Sequence, residues 1–174
     1  MEPSSLNRLA THLVRLADLY LPDDQSAIVR LLNHYAQQPF GMGRALPTAV
    51  QDRLIIGLQE RDNSRIFLAY DDQEEAIGLA VCFVGFSTFK ALPLINIHDL
   101  VVQEQTRGQG VGSSLIDAVV GYAEQQGFCA VTLEVRQDNP ARELYARKGF
   151  RNLQSYDPDG VMLFGKRTLI ADSP

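Results

Sequence analysis

The segment Arg107-Gly108-Gln109-Gly110-Val111-Gly112-Ser113 is where residue types and spacing suggest chemistry first. Glycines at alternate positions let a backbone turn its N–H groups inward and let a ligand come close to the main chain. A helix starting here would add unpaired N–H donors and the positive end of its dipole, which makes a seat for a phosphate or pyrophosphate. A plain strand–helix turn, with glycines for packing alone, fits the same letters. A triphosphate-binding loop does not: it needs GxxxxGK[ST], and the run contains no lysine. A dinucleotide-binding turn is a closer competitor, because Glu134 ends the next apolar run, where a ribose-binding acid would sit. Against it, the third glycine would fall at Ser113, and Gln103–Thr106 separates strand from glycines where that turn is abrupt. Too little chain also remains after Gly108 for the further strand–helix units.

The elements that must position this segment follow from periodicity. Leu6, Leu9, Leu13, Leu16 and Tyr20 recur at helical spacing, so a helix is expected near the N-terminus. Asp23 and Asp24 can cap a second helix, with Ile28, Leu31, Leu32 and Tyr35 on one face, ending before Pro39. Gly41 and Gly43 suggest a mobile loop, and Pro47-Thr48 starts another helix. From Arg65 onward the pattern is strand-like. RIFLAY (65–70) and AIGLAVCFVGF (76–86) form a hairpin over DDQEE, and LINIHDLVV (94–102) is a third strand. A helix spans about 111–126, closed by Gly127; a strand covers 130–135. Asn139-Pro140 opens a short helix, with Asn as cap and Pro at its first position, and Gly149 closes it. Residues 150–156 and 161–169 flank the turn Asp157-Pro158-Asp159-Gly160, a closing hairpin. The chain reads as one mixed α/β domain.

Two blocks then carry a family resemblance. Arg107-x-x-Gly110-x-Gly112 is similar to the R/Q-x-x-G-x-G/A signature of the GNAT family of N-acetyltransferases, preceded by Asp99-Leu100-Val101-Val102 in place of that family's strand motif. NPARELYARKGF, Asn139 to Phe150, resembles the family's second block, although Ala141 follows Asn139 by two. The resemblance covers about residues 65–170 well and the N-terminal part loosely. It implies a GNAT-type α/β fold: a mixed, mostly antiparallel central sheet flanked by helices on both faces. Residues 1–174 would be a single domain, with about 1–64 contributing to the acceptor site and 65–170 forming the acetyl-CoA-binding core. It also favours a first strand at about 11–17 over the helix that periodicity suggests.

By the same resemblance the cosubstrate is acetyl-CoA and the acceptor is a primary amine of a small molecule or peptide. The pyrophosphate would lie on Arg107, Gly108, Gln109, Gly110, Val111, Gly112 and Ser113. The pantetheine would run beside Leu100, Val101 and Val102 like an added strand, with Asn139 holding it or ordering the loop. Tyr145 matches the family's general acid. His98, able to accept a proton near neutrality, and Asp99 are base candidates. Strand alternation would turn those two to opposite faces, so that only one meets the acceptor. Glu134 is a third candidate, and backbone N–H groups near Val101 or Val102 could polarise the thioester. Tyr35, 40–43 and 86–89 would build the acceptor pocket. A non-catalytic acyl-CoA-binding sensor on the same fold is the competing expectation; it could keep the glycine turn without Tyr145 or an open cleft.

Composition sets outer limits. With 174 residues the chain is long enough for a core that needs no staples, and 45% apolar against 21% charged residues is ordinary for a globular domain. A net charge of -5 argues against nucleic acid as a partner. Cys82 and Cys129 sit in apolar runs with no CxxC or Cys/His spacing, so neither a metal nor a disulfide is expected. No apolar run approaches a membrane span, and the N-terminus lacks the pattern of a secretory leader, so a cytoplasmic setting is expected. Open strand edges near residues 150–169 would suit a homodimer.

Overall fold

The computed structural model describes residues 12–155 and 162–170. A seven-stranded sheet runs through it in the order β1-β2-β3-β4-β5-β7-β6. The strands are β1 (Leu13–Leu16), β2 (Ser64–Tyr70), β3 (Ala76–Ser87), β4 (Leu92–Val102), β5 (Ala130–Arg136), β6 (Arg151–Ser155) and β7 (Met162–Thr168). Every neighbouring pair is antiparallel except β4 and β5, which pair in parallel only over Ile95–Ile97 against Val131–Leu133. That one parallel joint requires a crossover, and the glycine segment with its helix supplies it.

Helices cover both faces, as the resemblance implies. On one face α1 (Pro22–Ala36) and α2 (Thr48–Gln59) bury Ile28, Leu31 and Leu58 against Leu68, Leu79 and Val101. On the other, α3 (Val111–Gln125) and α4 (Ala141–Arg147) bury Leu115, Ile116, Val119 and Tyr145 against Phe67, Ala80, Ile97 and Leu133. β3 and β4 run through the centre, where both faces are covered, and their sequences are correspondingly near-continuous in apolar residues. No helix among the described residues is long and apolar enough to cross a membrane.

Two expectations change at the N-terminal end. Residues 13–16 form an edge strand, in agreement with the resemblance and against the helical spacing of the leucines; Leu6 and Leu9 lie outside the described residues. Pairing of Leu13–Leu16 with Phe67–Tyr70 decides the matter, because Val14 reaches the α3-side core while Leu13 and Leu16 stay exposed. The cap of α1 is also different. Pro22 opens the helix, and Asp24 lies inside the first turn at 2% exposure. Its carboxylate accepts two hydrogen bonds from Arg15 at 2.7 Å, one from the Asp18 N–H at 2.7 Å and one from the Tyr70 hydroxyl at 3.1 Å. The acid therefore ties β1, β2 and α1 together instead of capping its own helix. The turn at 157–160 lies outside the described residues, although the β6–β7 pairing around it is antiparallel.

Candidate active site

Val102 ends β4, a short 3-10 turn (Glu104–Thr106) follows, and the chain then enters the glycine segment before α3 starts at Val111. Gly108 and Gly110 have φ of 78° and 91°, a left-handed conformation that disfavours any residue with a Cβ. Gly112 serves another purpose. A Cβ there would sit 3.1 Å from Leu144 and 3.6 Å from Val102, so its absence lets α3 close against α4 and β4. The first N–H groups of α3 have no partner within their own helix and stand over the end of the sheet. N–H groups so arranged can seat an anion. Arg107 donates to the Gln38 side chain at 3.4 Å, and the Gln109 carbonyl accepts from His12 at 3.0 Å.

Beside the seat the sheet opens. β4 and β5 stop pairing after Ile97 and Leu133, at the same place where β4 carries an extra residue. Val81 faces Asp99 and Cys82 faces Ile97, so His98 is the bulged position. The bulge resets alternation. Ile95 and Ile97 belong to the α3-side core, but so do Leu100 and Val102, while Val101 points to the α1 side. His98 and Asp99 therefore share the α1-side face, which corrects the expectation that they diverge. The His98 ring packs edge-on against Phe83 at 5.5 Å, and Phe83 belongs to the α1-side cluster. The open edge also selects backbone donors. Gln103 donates to the Ile77 carbonyl of β3; by the two-residue rhythm of an antiparallel ladder Val101 also faces β3, leaving Leu100 and Val102 toward the gap.

Asp99 lies within electrostatic reach of His98 and Tyr35, and Tyr145 within reach of Tyr35. Burial raises the Asp99 carboxyl above the usual carboxylate range, with His98 acting the other way. Tyr35, on the last turn of α1, is raised by burial and then by the charge of Asp99. Tyr145 is 7% exposed, packs its ring edge-on against Phe150 at 5.9 Å, and is pushed up to about 12 by burial and by the neighbouring Tyr35. Tyr145 comes from the α3–α4 face and Tyr35 from the opposite one. Tyr35 is nevertheless near enough to raise Tyr145. Asn139 accepts from the Ala141 N–H at 2.9 Å and precedes Pro140, whose φ and ψ of -63° and -18° are helical. That is the capping role expected of it.

Other candidates fall differently. Glu134 is exposed on β5 and receives a hydrogen bond from Asn96 at 3.1 Å; Asn96 also donates to Thr132 at 3.2 Å. Phe86 and the wholly exposed Phe89 sit at the tip of the β3–β4 hairpin, at the far end of β4 from the glycine segment, and so do not wall the gap. The loop after α1 is tied to it: Gly41 donates to Gln38, and Met42 and Arg44 donate to Ala36. A Cβ at Gly41 would strike the Tyr35 carbonyl, so this glycine permits close contact and is not a hinge. Asn96 lies in no motif, and His12, with no partner visible in the sequence, reads as an ordinary surface or packing residue; the partners of both are distant in the chain.

Residues 26–150 match the model of the Acetyltransferase (GNAT) family. An uncharacterized N-acetyltransferase of Archaeoglobus fulgidus is 32% identical over 100 residues, 56% of this chain and 67% of that protein. One from Bacillus subtilis is 26% identical over 128 residues, 73% of this chain and 83% of the other. Among solved structures, a chain of the NatC complex bound to Gag peptide and CoA superposes with a TM-score of 0.69 at 18% identity, covering 91% of this chain and 98% of that one. At that identity the likeness is one of fold.

Proposed function

Since the chain belongs to the acetyltransferase (GNAT) family, we propose that it transfers the acetyl group of acetyl-CoA directly to a primary amine of a small molecule or peptide. The observation that carries this reading is the separation of β4 from β5 after Ile97 and Leu133, in the strand that leads into the left-handed glycine segment. Direct transfer needs three things at one point: a neutral amine, a polarised thioester and a donor for the departing sulfur. The pyrophosphate lies on the N–H groups of Arg107–Ser113, and the pantetheine fills the gap along Leu100–Val102, taking the place of the missing β5 partner. The Leu100 and Val102 N–H groups are the backbone donors available to it and to the thioester oxygen.

The amine nitrogen attacks the carbonyl carbon from the α1 side, and the C–S bond breaks toward α4. Asp99 takes the proton that the ammonium must lose, since burial brings its carboxyl nearer to neutrality. His98, exposed on the same face, passes that proton to water. Glu134, held by Asn96, attracts the cationic amine. Tyr145 faces the leaving sulfur. A phenol held at about 12 keeps its proton at neutral pH and donates a hydrogen bond to the developing thiolate, which takes the second proton of the amine nitrogen as the tetrahedral intermediate collapses. Full transfer to an ordinary thiolate, of pKa about 8.5, would be uphill by roughly three and a half pKa units.

The test is titration of acetyl-CoA by calorimetry, then release of thiol with a panel of amines, for the wild type and Tyr145→Phe. Phe keeps the ring packing and removes the hydroxyl, so turnover should fall about 100-fold or more while acetyl-CoA affinity stays within about twofold. Wild-type binding without turnover on any amine would support the sensor alternative. No binding would end this reading.

A further inference from the structure

We infer that His12 is a positioning residue for the pyrophosphate seat. The inference rests on the reading of Arg107–Ser113 as the acetyl-CoA site. Its basis is one long-range contact: His12 Nε2 lies 3.0 Å from the Gln109 carbonyl oxygen, 97 residues away in sequence. A carbonyl only accepts, so Nε2 carries the proton and donates. Gln109 sits between two left-handed glycines, Gly108 and Gly110. Gly110 forms one side of the peptide that carries this carbonyl, so one of the two rotations that orient the plane meets no Cβ.

The direction of the carbonyl fixes the direction of the next N–H. In a planar trans peptide the two point opposite ways. His12 stands at the start of β1, on the outer edge of the sheet, with β2 and β3 between it and β4. The Gln109 carbonyl therefore points toward β1, and the Gly110 N–H points away from it, toward the side where β4, β5 and α4 lie. Gly110 is the residue immediately before α3, and no backbone acceptor is found for its N–H among the described residues. His12 thus aims a free donor of the seat at the place where the pyrophosphate would bind. Without it the Gln109–Gly110 peptide must be oriented by the ligand itself, at the cost of affinity.

Only a donor molecule with a pyrophosphate should feel this residue. S-acetylpantetheine carries the same thioester and arm without the nucleotide, and it serves as the second probe. In His12→Ala the KM and Kd for acetyl-CoA should rise about three- to tenfold, the worth of one ordinary hydrogen bond. The kcat at saturating acetyl-CoA and the kcat/KM for S-acetylpantetheine should stay at wild-type values. His12→Gln, whose amide can still donate, should recover most of the acetyl-CoA affinity. Unchanged acetyl-CoA affinity in His12→Ala would overturn the assignment. So would an equal loss with both donors, which would mean that His12 merely supports the fold. A wild type that fails to bind acetyl-CoA would instead strike the underlying reading of the site, and it would do so before any variant is made.

Discussion

Gly78 lies on β3, under α3 and away from any ligand, yet its substitution should be felt at the anion seat. A Cβ built at this position falls 2.8 Å from Val111 Cγ1, 3.0 Å from Leu115 Cδ1 and 3.2 Å from the Val101 carbonyl oxygen. The first distance is closer than real Cβ contacts, and the carbonyl blocks retreat on the β4 side. Val111 and Leu115 must therefore give way, and Val111, stiff at χ1, passes part of that displacement to its helix. Forcing one extra methyl into a packed core costs about 1–3 kcal/mol, and a domain of this size loses about 2–4 °C of Tm per kcal/mol. Gly78→Ala should lower Tm by about 4–8 °C for a central cost of about 2 kcal/mol. Val111 is also the first residue of α3 and directly follows Gly110, so the same displacement shifts the N–H groups of the seat. Acetyl-CoA affinity should fall about three- to tenfold, equivalent to about one hydrogen bond. Thermal melts and calorimetric titration read the two effects separately. Val111→Ala removes the atom that Gly78→Ala strikes, so the double variant should be more stable than the sum of the singles predicts. An unchanged melting temperature in Gly78→Ala would refute the packing argument. A lowered one with unchanged affinity would refute the link from β3 to the seat.

Two acids should respond to pH in opposite directions. Burial raises the folded-state pKa of Asp99, so its contribution to stability is highest at acid pH and is lost as pH rises from the unfolded value of about 3.9 through the folded one. Asp99→Asn should therefore melt higher than wild type at pH 7, show little difference near pH 3, and turn over more slowly throughout; a lower melting temperature at pH 7 would contradict the burial argument. Asp24 is the reverse case: its hydrogen bonds from Arg15, ahead of those from Asp18 and Tyr70, hold the carboxyl below the usual range. Its stabilisation is present above about pH 4 and fades as the group is protonated. Asp24→Ala should cost about 2–3 kcal/mol at pH 7, less than a fully buried pair, because the Arg15 side chain is 43% exposed and can rehydrate. Equilibrium urea unfolding at pH 7 and pH 3 checks this, and an equal cost at both would exclude the ion pair as its origin.

The contrast between what the sequence makes legible and what it hides is sharpest within β4. The glycine segment, the helix after it and the short helix bearing Tyr145 were readable because each is marked by residues with special backbone demands: Gly108, Gly110, Asn139 and Pro140. The bulge at His98 carries no such mark. It is nevertheless written in the apolar phase, since Ile95 and Ile97 point to the α3-side core and Leu100 and Val102 return to it three residues later. Only an odd residue between them can reconcile the two pairs. Val101 conceals that phase change, because a central strand buried on both faces is apolar at every position and alternation loses its reference. The same blindness applies to Asp24 and His12, whose partners lie up to 97 residues away and exist only after β1 has joined the sheet edge. The N-terminal leucines mislead for a related reason. Helical spacing reports a face to be buried, but an edge strand of four residues needs to bury only Val14 and is held by its ladder to β2. Motifs thus reveal where the backbone is exceptional, whereas the pairing of His98 with Asp99 on one face arises from sheet register. That pairing sets a carboxyl raised by burial and an exposed imidazole side by side on the α1-side face of β4.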